Sequence, residues 1–148
     1  MSSAWHLAKR FFGMISATPL APAERQEVGG VLGADELRLF DRLGVPDQRH
    51  ALHVLRRFDA IAPRAPLHAR QAALLHDIGK VDCQLGAIMR VVATVVGGRT
   101  ESFRQYHAHE QHGLVLLQAI RTDVVTLALL RGEGDATLVA ALRRADAV

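Results

Sequence analysis

The chain has 148 residues, enough to bury a real core in one domain and short for two. Its residues are 49% hydrophobic but only 5% aromatic, with Ala, Leu and Val dominant, which is the composition of packed helices rather than of alternating strands. The formal charge of +3 is mild: it steers small anions, but no block of like charges marks a nucleic-acid tail, and no run approaches the ~20 apolar residues of a membrane span.

A single cysteine, Cys83, excludes an internal disulfide and a thiolate-rich zinc site, and a reduced, cytoplasmic setting is expected. Near the start, Trp5 to Ile15 sets Lys9 and Arg10 before a short apolar patch. Gly13, Pro19 and Pro22 interrupt it too early for a signal peptide, so an amphipathic helix with a linker is expected over 1–22, and a helical domain over 23–148.

In chain order, a short helix is predicted over Ala23 to Val31, closed by Gly29 and Gly30, and another over Asp35 to Leu43, with Leu37, Phe40 and Leu43 on its core face. Pro46 and Asp47 open a helix reaching about Ile61, whose apolar face carries Leu52, Val54 and Leu55. Pro63 and Pro66 break the chain, and a further helix carries Leu67 through Ile78. The two form a hairpin. With its turn near Pro63, His50 falls level with His76, while His53 faces the region of Ala73 and reads as a solvent or interfacial histidine.

His76 and Asp77 end the second helix of that hairpin and are poor guests on an apolar run unless something pairs with them. One such partner is a divalent cation, which two adjacent side chains about 100° apart on a helix could flank. The alternative is that His76 donates to a backbone carbonyl and Asp77 caps a turn. Beyond a connection at Val81 to Gln84, helices are predicted over Leu85 to Val96 and Arg99 to Tyr106. Three histidines, His107, His109 and His112, then precede Gly113, and three last helices cover Leu114 to Ile120, Asp123 to Leu130 and Asp135 to Ala145.

The ordered series His50, His76-Asp77, His109 and Asp146 resembles the HD-domain superfamily of metal-dependent phosphohydrolases, whose signature is H…HD…D. Ala73-Leu74-Leu75-His76-Asp77-Ile78-Gly79-Lys80 closely resembles its central motif, and Arg49-His50-Ala51-Leu52-His53-Val54 its first histidine helix. The resemblance spans most of the chain. It implies an all-α, single-domain bundle of about seven to nine helices and a metal held by His50, His76, Asp77 and Asp146. It further implies hydrolysis of a phosphomonoester or phosphodiester, a class that includes nucleotides.

Many two-metal relatives carry His-Pro-Glu-x-Gly where this chain has His109-Glu110-Gln111-His112-Gly113, and a His-His pair where it has Leu130-Arg131-Gly132. One ion per chain is therefore expected. Mixed nitrogen and oxygen ligands favour Mn, Fe, Co, Ni or Zn over Mg or Ca. Lys80 could supply positive charge to the phosphate or simply a cation at a helix end. His109 could act as donor or acid, and Asp77 could orient water if ligation leaves it free. A non-catalytic module that binds a metal or phosphorylated ligand is the alternative function.

Overall fold

A computed structural model describes residues 17–82 and 101–147, with side chains in the second stretch from 110 onward. It is all-helical, with no strand among the described residues. The elements are α1 (Pro22–Gly29), α2 (Ala34–Phe40), α3 (Val45–Ile61), α4 (Leu67–Leu75), a 3-10 turn (Ile78–Asp82), α5 (Glu101–Ala119), α6 (Val124–Leu130) and α7 (Ala136–Asp146). The predicted helices over Trp5 to Ile15 and Leu85 to Val96, Cys83, and the side chains of His107 and His109 lie outside the described residues. No described helix is long and apolar enough to cross a membrane.

Helix α3 is the central element, because Ala51, Leu52, Val54, Leu55 and Phe58 bury a broad stripe at helical spacing. Phe58 is wholly buried, which stabilises the fold by roughly 1.5–3 kcal/mol relative to leaving such a side chain in water. Helix α4 packs antiparallel to α3 through Ala69, Ala72 and Ala73, whose small side chains let the rods approach. Beside the turn that closes this hairpin, Arg70 makes two 2.8 Å bonds to the carboxylate of Asp59. Helix α7 lies along α3, and α6 lies along α4. Asp123 and Asp135 begin α6 and α7 by accepting backbone N–H bonds from Val125 and Thr137, each at 2.8 Å.

Three local expectations are corrected. Helix α4 stops at Leu75 rather than Ile78, and His76 and Asp77 lead into the 3-10 turn, where Lys80 N–H bonds to Asp77 O at 3.0 Å. Helix α2 ends at Phe40, before Leu43, although Leu43 is still buried. The separate helices expected on either side of Gly113 are one 19-residue helix, α5.

Gly113 breaks nothing; its missing side chain is what lets α5 meet the 3-10 turn. A Cβ there would stand 2.9 Å from Gly79 N and 3.1 Å from Ile78 Cγ2. Backbone thus packs on backbone immediately after the His76-Asp77 pair.

Candidate metal centre

Three elements supply the site. His50 comes from the first half of α3, His76 and Asp77 from the junction between α4 and the 3-10 turn, and Asp146 from the last turn of α7. The hairpin register brings the first two together: the imidazoles of His50 and His76 meet edge to face with ring centres 5.3 Å apart. Helix α7, packed along α3, carries Asp146 to both of them although it lies 96 residues from His50.

The polar atoms interlock closely. His50 Nε2 is 3.1 Å from Asp146 Oδ1 and 3.9 Å from Asp77 Oδ2. His76 Nε2 is 3.3 Å from Asp146 Oδ1 and 3.5 Å from Asp77 Oδ2. Its other nitrogen, Nδ1, donates to the carbonyl oxygen of Ala73 at 2.8 Å. A carbonyl can only accept, so Nδ1 carries the hydrogen and Nε2 of the neutral ring is a lone-pair donor. Nε2 is buried and makes no hydrogen bond: the carboxylate oxygens of Asp146 and Asp77 nearest to it offer no hydrogen to a lone pair.

A buried, unbonded nitrogen beside two carboxylates is a donor set that could hold a cation. Ligand atoms about 2.1 Å from a first-row metal lie roughly 3–3.5 Å from one another, and three of the four distances above fall close to that range. Donor atoms of His50, His76 and Asp77 all lie within 4.8 Å of one another. The Nδ1 bond to Ala73 is the kind of second contact that orients the ring in metal-binding histidines generally. The residues present fit a divalent ion with nitrogen and oxygen ligands.

The charges of the cluster also act on one another. Burial pushes the His76 imidazolium down, but the carboxylates of Asp146 and Asp77 outweigh it and hold its pKa above the usual value. Hydrogen bonding from His50 and the proximity of His76 hold Asp146 far below the ordinary carboxylate range. Both shifts report a pocket organised around opposite charges.

Lys80 is on the other side of Asp77. Its ammonium is 2.5 Å from Asp77 Oδ2 and 3.9 Å from Asp47 Oδ1, and it does not line the neighbouring cavity. It therefore holds the Asp77 carboxylate in place. His53 is exposed, as expected of a residue one turn away from the ligand position.

A cavity of about 330 Å³ adjoins the cluster and is lined by His76, Asp77 and Asp146. Its other polar lining residues include Glu110, Arg131 and Arg143, and apolar side chains such as Leu75, Leu117 and Val139 complete the wall. The two arginines were not anticipated from sequence, where an arginine near a helix end reads as a solvated charge. The signal that could have found them is Gly132, which follows Arg131 at the end of α6 and adopts φ +76. No family model, curated protein or solved structure matches the chain.

Proposed function

We propose that the chain is a metal-dependent phosphohydrolase of the HD-domain type, with His50, His76, Asp77 and Asp146 as the ligands of one divalent transition-metal ion. The observation that carries this reading is the buried, unbonded Nε2 of His76, set between two carboxylates with its tautomer already chosen by Ala73. Mn, Fe, Co, Ni or Zn suits such a donor set.

When bound, an ion of this kind polarises a phosphoryl oxygen and brings the pKa of its water towards neutrality. The protein's own part is to present the ligands and a shaped cavity. His76 and Asp77 are held rigid by the α4 end and by Gly113 packing on the turn beneath them. Lys80 fixes the orientation of the Asp77 carboxylate, and the cavity admits a small anion beside the cluster. His109, on α5, is proposed as a donor or an acid from its place in the sequence series.

A second reading has a specific observation behind it. The Lys80 ammonium already gives Asp77 a cationic partner, which suits a ligand-binding module without turnover. One experiment separates the two. Purified protein is stripped, reloaded with each first-row metal in turn, analysed for bound metal and assayed against a panel of phosphomonoesters and phosphodiesters. Near-stoichiometric metal and chelator-sensitive hydrolysis, both lost in His76→Ala and Asp77→Ala, are expected. Metal retained in both variants overturns the ligand assignment, and stoichiometric metal without turnover of any ester selects the binding module.

A further inference from the structure

We infer that Arg131 and Arg143 form a paired phosphate clamp in the cavity beside the His50, His76, Asp77 and Asp146 cluster, and that the ligand it selects is a small phosphomonoester. The inference deepens the reading above and rests on it.

The first argument is the state of the arginines. Arg25, Arg38, Arg49, Arg56 and Arg70 each face a carboxylate. Arg131 and Arg143 are exposed and, like Arg121, meet no carboxylate among the described residues, but unlike Arg121 they line the cavity. A cation at the end of α6 is favoured by the helix dipole, which explains why Arg131 is tolerated there. Arg143, in the last turn of α7, is favoured in the same way; the dipole does not explain why arginines from two different helices line one cavity.

The second argument is how the backbone arranges them. Helix α6 ends in a paired 6→1 and 5→2 closure, with Glu133 N–H bonded to Ala128 O and Gly132 N–H to Leu129 O, both at 2.9 Å. That closure needs a left-handed residue after Arg131, and Gly132 supplies it. The absent side chain has a second use: a Cβ on Gly132 would stand 3.0 Å from a terminal nitrogen of Arg143. The loop that terminates α6 is thus also the seat of the Arg143 guanidinium.

The ligand class follows from charge and size. Guanidinium groups bind phosphate oxygens through paired N–H donors, and two of them match the dianion of a monoester better than the single charge of a diester. A volume of about 330 Å³ is at the small end of ligand pockets. Leu75, Leu117, Leu129, Val139 and Leu142 leave an apolar wall for the organic part of the ester.

The test uses the full chain and the variants Arg131→Met, Arg143→Met and Gly132→Ala, with inorganic phosphate as titrant in calorimetry, with and without metal. Each arginine variant is expected to keep the wild-type metal content and to bind phosphate roughly tenfold or more weakly, the scale of a lost charge-assisted bond. Gly132→Ala keeps both charges but displaces Arg143, so it also lowers phosphate affinity. Hydrolysis of 4-nitrophenyl phosphate is expected to lose mainly in KM, while bis(4-nitrophenyl) phosphate is handled poorly by every form. Metal-free wild type should still bind phosphate weakly in an arginine-dependent way, so a failure of the metal reading is visible separately as absent metal. Phosphate affinity unchanged in both arginine variants overturns the clamp, and equal handling of the monoester and the diester overturns the ligand class.

Discussion

His76 donates its Nδ1 hydrogen to the carbonyl oxygen of Ala73, one turn back along the end of α4. The two readings that the sequence leaves open for this histidine, a backbone partner or a metal, are therefore compatible: one nitrogen serves each. The bond also makes a spectroscopic prediction. On titration with Zn, the Nε2 resonance of His76 in nitrogen-15 NMR moves to its metal-bound position, while the Nδ1–H correlation persists. Replacement by Ala removes a ligand together with its fixed geometry, and the affinity for Zn should fall by more than the roughly 10–100-fold typical of losing a supporting residue. An Nδ1 that loses its hydrogen on metal addition contradicts the assignment.

Stability of the metal-free protein should depend on pH through the same cluster. His76 has a raised pKa, so its contribution is fully present below the unfolded value of 6.5 and disappears as pH rises through the folded value. Asp146 has a depressed pKa, so its contribution is present above the unfolded value of 3.8 and is lost as pH falls towards the folded one. The two overlap between about pH 4 and 6.5, where the metal-free chain is expected to melt at its highest temperature. Metal should reverse the upper limb, because protons compete with the ion for Nε2. In Asp146→Asn the maximum flattens; thermal melts from pH 4 to 9 with chelator present, showing the same maximum in that variant, would contradict this coupling.

Gly113 provides a prediction whose sign is decisive. In an exposed helix interior, Gly→Ala stabilises by about 1 kcal/mol through backbone propensity alone. Here the new methyl would meet Gly79 N at 2.9 Å and Ile78 Cγ2 at 3.1 Å, a backbone atom and a branched carbon of a fully buried side chain, neither with much freedom to give. Overpacking of this kind costs about 1–3 kcal/mol, so Gly113→Ala should lower stability in chemical denaturation. Because Gly79 lies two residues beyond Asp77, the variant should also bind metal more weakly. A more stable Gly113→Ala protein would mean that α5 does not press on the turn.

How much of this was legible in sequence varies with the kind of signal. The pairing of His50 with His76 was, because two prolines fix the hairpin turn and helical rise sets the register from there. Asp146 was reachable only through the resemblance, since nothing local says that α7 folds back along α3 to bring the tail to residue 50. Gly113 misled, because a glycine among polar residues looks like an end and its role depends on a backbone 34 residues away. Arg131 and Arg143 were invisible for a similar reason: a charge that lines a cavity looks the same in sequence as one in water.

Arg121 is the residue where local rules are broken and improvement is expected. It follows α5 with φ +59, and it is the non-glycine residue with positive φ among those described. The surrounding bonds explain why: Thr122 N–H reaches Leu117 O and Arg121 N–H reaches Gln118 O, each at 3.0 Å, the same paired closure that Gly132 completes after α6. A side chain in the left-handed region costs about 1–2 kcal/mol, which glycine avoids, although glycine loses part of this through the freedom of its unfolded chain. Arg121 is exposed and makes no ion pair among the described residues, so little else is given up. Arg121→Gly should therefore stabilise the protein by about 0.5–1 kcal/mol in urea unfolding, with metal and phosphate affinity unchanged. Arg121→Ala keeps the strain and should show no gain; equal stabilisation by Ala and Gly would locate the effect in the lost charge instead of the backbone.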